Sequence, residues 1–163
     1  MKRSVIVTIT LSLTLLVAVI AGVMFKRQDN DLPFRCSAFS RYDLSRHEGK
    51  RLDFYVSQDL RFIDPHSGYL LLNGQVTAGD AVTVLNRRIA LSSGNRIESN
   101  TYRYKIRTIV TATNDTTPDA IFNLLFSEIT LDPTYLQLDL TKVDDKSYLI
   151  SGPLSYLFTC ERY

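Results

Sequence analysis

The chain has 163 residues, with 19 basic and 17 acidic side chains, 45% hydrophobic residues, two cysteines and two histidines. A near-neutral balance with no basic stripe argues against a nucleic-acid reader. Two Cys and two His, all far apart in sequence, exclude the usual paired zinc ligands.

In chain order, the first element is an uncharged run from Ser4 to Phe25, bounded by Lys2-Arg3 and Lys26-Arg27. At 1.5 Å rise per residue its 22 residues make a helix of about 33 Å, enough to cross a hydrocarbon core of about 30 Å. A cleaved signal peptide, with Val19-Ile20-Ala21 before Gly22, is the competing reading. The apolar run continues past that point and closes on Lys26-Arg27 as a stop-transfer flank would, which favours a retained transmembrane helix. The bare Lys/Arg count favours the opposite orientation, but long domains translocate largely regardless of charge. The expected layout is a cytoplasmic tip, transmembrane helix and flank over residues 1–27, followed by an exported β domain over residues 28–163.

After a short polar linker, Asn30 to Pro33, the chain alternates with period two. Leu52, Phe54 and Val56 share one face; Tyr102, Tyr104 and Ile106 oppose Arg103, Lys105 and Arg107. Leu136, Leu138 and Leu140 form a third such face, and Leu154, Tyr156, Phe158 and Cys160 a last one. Turn signals fall between the runs, at His47-Glu48-Gly49-Lys50, Asp64-Pro65-His66-Ser67-Gly68, Asn73-Gly74, Ala78-Gly79-Asp80, Ser92-Ser93-Gly94-Asn95 and Ser151-Gly152-Pro153. Thr117-Pro118-Asp119, ahead of Ala120, Ile121, Leu124 and Leu125, reads as a capped helix with Pro in its first turn. The predicted domain is mainly β, an antiparallel barrel-like sheet, incomplete at one edge, of seven or eight strands with one short helix before the last three.

Cys36 and Cys160 lie near opposite ends of this domain, and in an exported protein they read as a disulfide tying the first strand to the last. Two independent buried thiols are the alternative. His47 and His66 are candidates for a pH response, each in a turn beside an acid, Glu48 or Asp64; exposed turn histidines with nothing to switch are the plainer reading. Tyr69, Tyr102, Tyr104, Tyr148 and Tyr156 could line a cavity or simply fill the barrel. No Gly-x-Ser-x-Gly and no phosphate-cradling loop is present, so the chain reads as non-enzymatic, with no cofactor.

Several segments carry a family resemblance. They are the single anchor, Leu70-Leu71-Leu72-Asn73-Gly74-Gln75-Val76, Asn86-Arg87-Arg88-Ile89-Ala90-Leu91-Ser92, Asp115-Thr116-Thr117-Pro118-Asp119-Ala120-Ile121-Phe122, Tyr148-Leu149-Ile150-Ser151 and Leu157-Phe158-Thr159-Cys160. In this order the chain resembles the ToxS, FidL and PsaF/MyfF group of small membrane accessory proteins, PsaF/MyfF most closely. The resemblance implies a bacterial inner-membrane protein with its amino terminus in the cytoplasm and its bulk in the periplasm. It implies a lipocalin-like barrel and a partner, a ToxR-like single-pass winged-helix regulator of the PsaE/MyfE type. The accessory protein would bind and stabilise that regulator's periplasmic domain and support transcription of fimbrial genes, without touching DNA itself. Two other roles stand beside this one: a lipocalin-like sensor of a small amphipathic ligand, and a periplasmic assembly factor for surface adhesins.

Overall fold

Residues with side chains alternating between water and an apolar interior form ladders in which one face is buried. The computed structural model, which describes residues 12–22, 32–45 and 51–163, carries that pattern around a closed circuit. Eight strands run in sequence order: β1 (Phe34–Asp43), β2 (Leu52–Asp64), β3 (Ser67–Ala78), β4 (Ala81–Arg96), β5 (Thr101–Thr111), β6 (Tyr135–Lys142), β7 (Ser147–Ser151) and β8 (Tyr156–Arg162). Each pairs antiparallel with the next, and β8 returns to β1 through two ladder pairs, so the sheet closes into an up-and-down barrel in place of the incomplete one expected. Two helices are described, α1 over residues 12–22 and α2 (Asp119–Ile129) between β5 and β6. The chain divides into two compact units, Met1–Leu32 and Pro33–Tyr163.

The α1 helix covers only the middle of the apolar run. Its 11 residues span about 16 Å, and no helix among the described residues is long and apolar enough to cross a membrane. The predicted span over Ser4–Phe25 extends on both sides into residues outside the described ones.

Inside the barrel, Phe54, Val56, Leu60, Leu70, Leu72, Val76, Leu85, Ile89, Leu136, Leu138 and Ile150 are essentially sealed from solvent. Each large aliphatic or aromatic side chain buried this way is worth about 1.5–3 kcal/mol relative to exposure. One end is filled by aromatic rings: Phe62 stacks on Tyr104 at 4.7 Å and Phe34 meets Tyr148 edge-on at 5.0 Å. Of the five tyrosines considered for a cavity lining, Tyr104 and Tyr148 belong to this filling and Tyr102 lies at its margin, 5.7 Å from Phe62. Tyr69 faces outward under Arg88, and Tyr156 is 55% exposed.

Three sequence expectations are corrected. Asn73-Gly74 lies in the middle of β3, opposite Ser57 and Val56, where a Cβ at 74 would run into the Tyr55 carbonyl. Ser92-Ser93-Gly94-Asn95 is an irregularity within β4, where Ser93 takes φ 51°. Leu154 and Tyr156 are exposed, because the ladder shifts between Ile150 and Ser151 and β8 joins the apolar phase only at Leu157, Phe158 and Cys160. At the start of α2, Pro118 itself holds the cap position, with no side-chain cap bond. Thr117 instead donates through Oγ1 to the Val84 carbonyl at 3.0 Å.

Candidate functional site

The ladders are of very unequal length. β2 and β3 stay in register from Leu52↔Ala78 to Phe62↔Gly68, whereas β8 meets β1 only at Cys36↔Arg162 and Ser37↔Glu161. One further backbone bond, from the Tyr163 N–H to the Arg35 carbonyl at 3.3 Å, extends this seam toward the start of β1. In the other direction, Ala38–Asp43 on β1 and the segment of β8 from Tyr156 to Thr159 share no ladder pair. The barrel therefore closes along one half of this seam and leaves two strand edges facing each other along the other half.

A disulfide holds the closed half. Cys36 and Cys160 are bonded across the seam with their Cα atoms 5.5 Å apart, and both are buried. The loop it closes is 124 residues long, for which chain entropy gives up to about 5 kcal/mol. Cys160 shares the inward phase of β8 with Phe158, which lets the bond form inside the barrel.

The open half is apolar at its rim and polar just behind it. Phe39 is 68% exposed on β1, and Leu154 and Tyr156 are similarly exposed on the β8 side. Behind them Tyr42 accepts a hydrogen bond through its hydroxyl from Gln58 Nε2 at 2.8 Å. Burial pushes the Tyr42 hydroxyl above the usual phenol value. Gln58 is buried, and its Oε1 has no partner in the structure. At the far end of β1, Asp53 is covered by Arg41 Nη2 and Arg51 Nε, each at 2.8 Å. Those bonds, from Arg51 first and then Arg41, hold its carboxyl below the usual range.

A second polar feature ties α2 to the barrel. Arg87, on the inward face of β4, is 4% exposed. It donates to Asp115 Oδ2 at 3.1 Å, to Asp119 Oδ1 at 2.7 Å and to the Thr117 carbonyl at 2.6 Å. Its guanidinium also lies 4.3 Å from the centre of the Phe122 ring. Burial pushes the Asp115 carboxyl up, but the Asn86 N–H, the Arg87 guanidinium and the Thr117 N–H outweigh it, so the group sits below the ordinary value. Nothing in the sequence but the spacing of Arg87 to the Asp-Thr-Thr-Pro-Asp segment pointed here, and that spacing had no distinctive pattern.

Of the two histidines, His47 lies outside the described residues. His66 is in the β2–β3 turn, where its backbone N–H donates to Asp64 Oδ1 at 2.7 Å. Its Nδ1 is 3.0 Å from the Gly94 carbonyl, while Gly94 N–H donates to the His66 carbonyl at the same distance. The two-way contact pins the turn to the β4 irregularity. No group of three or more His, Cys, Asp or Glu among the described residues is arranged to hold a metal ion.

The described residues thus form an eight-stranded antiparallel barrel stapled across its closing seam by a disulfide, with an apolar helix earlier in the chain. A family model described as "FidL-like putative membrane protein" matches residues 74–160, from the middle of β3 into β8 and across more than half of the chain. The chain belongs to the FidL-like membrane protein family. No curated protein matches it.

Proposed function

We propose that this protein is a non-enzymatic, membrane-anchored co-regulator. In this reading its barrel docks on the periplasmic domain of a ToxR-like single-pass activator, of the PsaE/MyfE type, and supports expression of fimbrial genes. The apolar run Ser4–Phe25 is the anchor, and the barrel is periplasmic. The observation that supports this reading is the half-made seam. On its side toward β8, Ala38–Asp43 makes no ladder pair among the described residues, and this stretch, bordered by exposed Phe39 and Tyr156, offers a strand-addition edge. A partner strand seated there would satisfy groups on both chains and hold the regulator in one conformation.

The test is co-purification of the full chain with the regulator's periplasmic segment, together with thermal melts of each alone and mixed. The expected result is a stable complex with a raised melting temperature. Absence of a complex with unchanged melts would contradict the reading. A second reading, a sensor of a small amphipathic molecule, draws on Gln58 Oε1 and the Tyr104 hydroxyl, both buried without a hydrogen-bond partner in the structure. A ligand inside the barrel would be expected to satisfy at least one of them.

A further inference from the structure

The outer surface of β1–β5 is richest in cations at one end of the strands. At the end where the chain enters the barrel, register places Arg35 beside Arg61, Arg61 beside Tyr69 and Tyr69 beside Ala90. Arg88 sits diagonally on the next row, opposite Leu71 and Val110. On β5, Lys105 pairs with Ser92, and Arg107 occupies the extra position between Ile106↔Leu91 and Thr108↔Ala90. Arg35, Arg88, Lys105 and Arg107 are exposed.

Tyrosine rings are interleaved with these cations. Arg88 lies 4.3 Å and Arg61 5.6 Å from the centre of Tyr69, and Arg61 is 5.7 Å from that of Tyr163. On the same rows the carboxylates are Asp59 and Glu161. Asp59 is already taken by Arg61 at 2.7 Å and by the Tyr163 hydroxyl at 2.6 Å. At the opposite end of the same strands the charges are mixed. Asp43 faces Asp53 across β1 and β2, Arg41 and Arg51 both pair with Asp53, and Asp80 lies in the β3–β4 turn.

The cationic rows begin one residue after Phe34, the first residue of the first strand. Residues 23–32, which join α1 to the barrel unit, span at most about 36 Å when fully extended. A face of arginines set over tyrosine rings suits phosphate-rich, half-apolar surfaces. Arginine bonds phosphate oxygens, and tyrosine favours the headgroup level of a bilayer.

We propose that this Arg/Tyr face of β1–β5 docks on the anionic phospholipid headgroups of the membrane to which the chain is tethered. Such docking leaves the half-open seam free for a protein partner. The proposal rests on membrane anchoring and is independent of the partner's identity, since its test contains no regulator.

The chain has no tryptophan, so one introduced tryptophan is the sole indole emitter. The experiment reconstitutes the full chain carrying Tyr69→Trp into phosphatidylcholine vesicles with or without phosphatidylglycerol, each containing brominated lipid as a quencher. Thr108→Trp, exposed on the same row, serves if Tyr69→Trp does not fold. Thr77→Trp reports from the far end of β3, eight residues and about 26 Å away. The expected result is quenching at 69 or 108 that is several-fold stronger with phosphatidylglycerol than without it. That excess should disappear near 0.5 M salt, where screening acts within about 4 Å. Combined Arg35→Gln, Arg88→Gln and Arg107→Gln should reduce it to the level at 77. Quenching equal at both ends of β3, or indifferent to lipid charge and salt, would overturn the proposal. So would quenching that arises only when an acidic protein is added.

Discussion

At Arg87 a full positive charge is held inside a β-barrel, and its environment explains how. Two carboxylates, a carbonyl and an aromatic face surround it, and Asp115 is as thoroughly buried as the arginine, at 1% exposure. Removing one member of a buried pair leaves the other uncompensated, at a cost of about 3–5 kcal/mol. Arg87→Met should therefore lower the stability of the oxidised chain by that order in denaturant titrations. Asp119→Asn should cost under about 1 kcal/mol, because Asp119 is 85% exposed. Acid should reproduce part of the Arg87 effect. The folded Asp115 carboxyl titrates below its unfolded value near 3.9, so its stabilisation is complete above about pH 5 and is lost as pH falls through the folded value. Stability measured from pH 6 to pH 2.5 should fall, and the fall should flatten in a variant that lacks both Arg87 and Asp115.

Among the elements, the seam between β1 and β8 has the shortest ladder, and the disulfide sits on its closed half. Replacing both cysteines by alanine should cost about 2–5 kcal/mol. Amides at Ser37 and Glu161 should then exchange faster than those of the long β2–β3 ladder, a difference readable by hydrogen exchange. Much of this level could be read from sequence. Period-two faces gave β2, β5 and β6, Pro118 marked the start of α2, and the inward phase of Cys160 paired it with Cys36. Failures occurred where local chemistry mimics a turn. Asn73-Gly74 has hairpin composition, yet glycine is needed there because the Tyr55 carbonyl approaches too closely for a side chain. Gly74→Ala should accordingly destabilise the barrel by about 1–3 kcal/mol. The gap above Ser37↔Glu161 left no trace in the residues. Strand pairing across 124 positions is decided by barrel closure and by the shift near Ser151, which periodicity along a single strand does not encode.

For the whole molecule, the features divide by position along the strands and around the barrel. Aromatic rings fill the end where the chain enters, the cationic rows ring that end from β1 to β5, and the unpaired edges open away from it on the β1–β8 side. A barrel built this way can meet a charged surface with one face and a protein strand with another. The proposed docking of a partner strand on Ala38–Asp43 is tested by amide hydrogen exchange of the full chain with and without the regulator's periplasmic segment. Ala38–Asp43 and Tyr156–Thr159 should become protected on binding, and Phe39→Glu, at a 68% exposed position, should abolish this protection without changing the melting temperature of the chain alone. Binding that leaves these amides unprotected, or that protects a different strand, would contradict it.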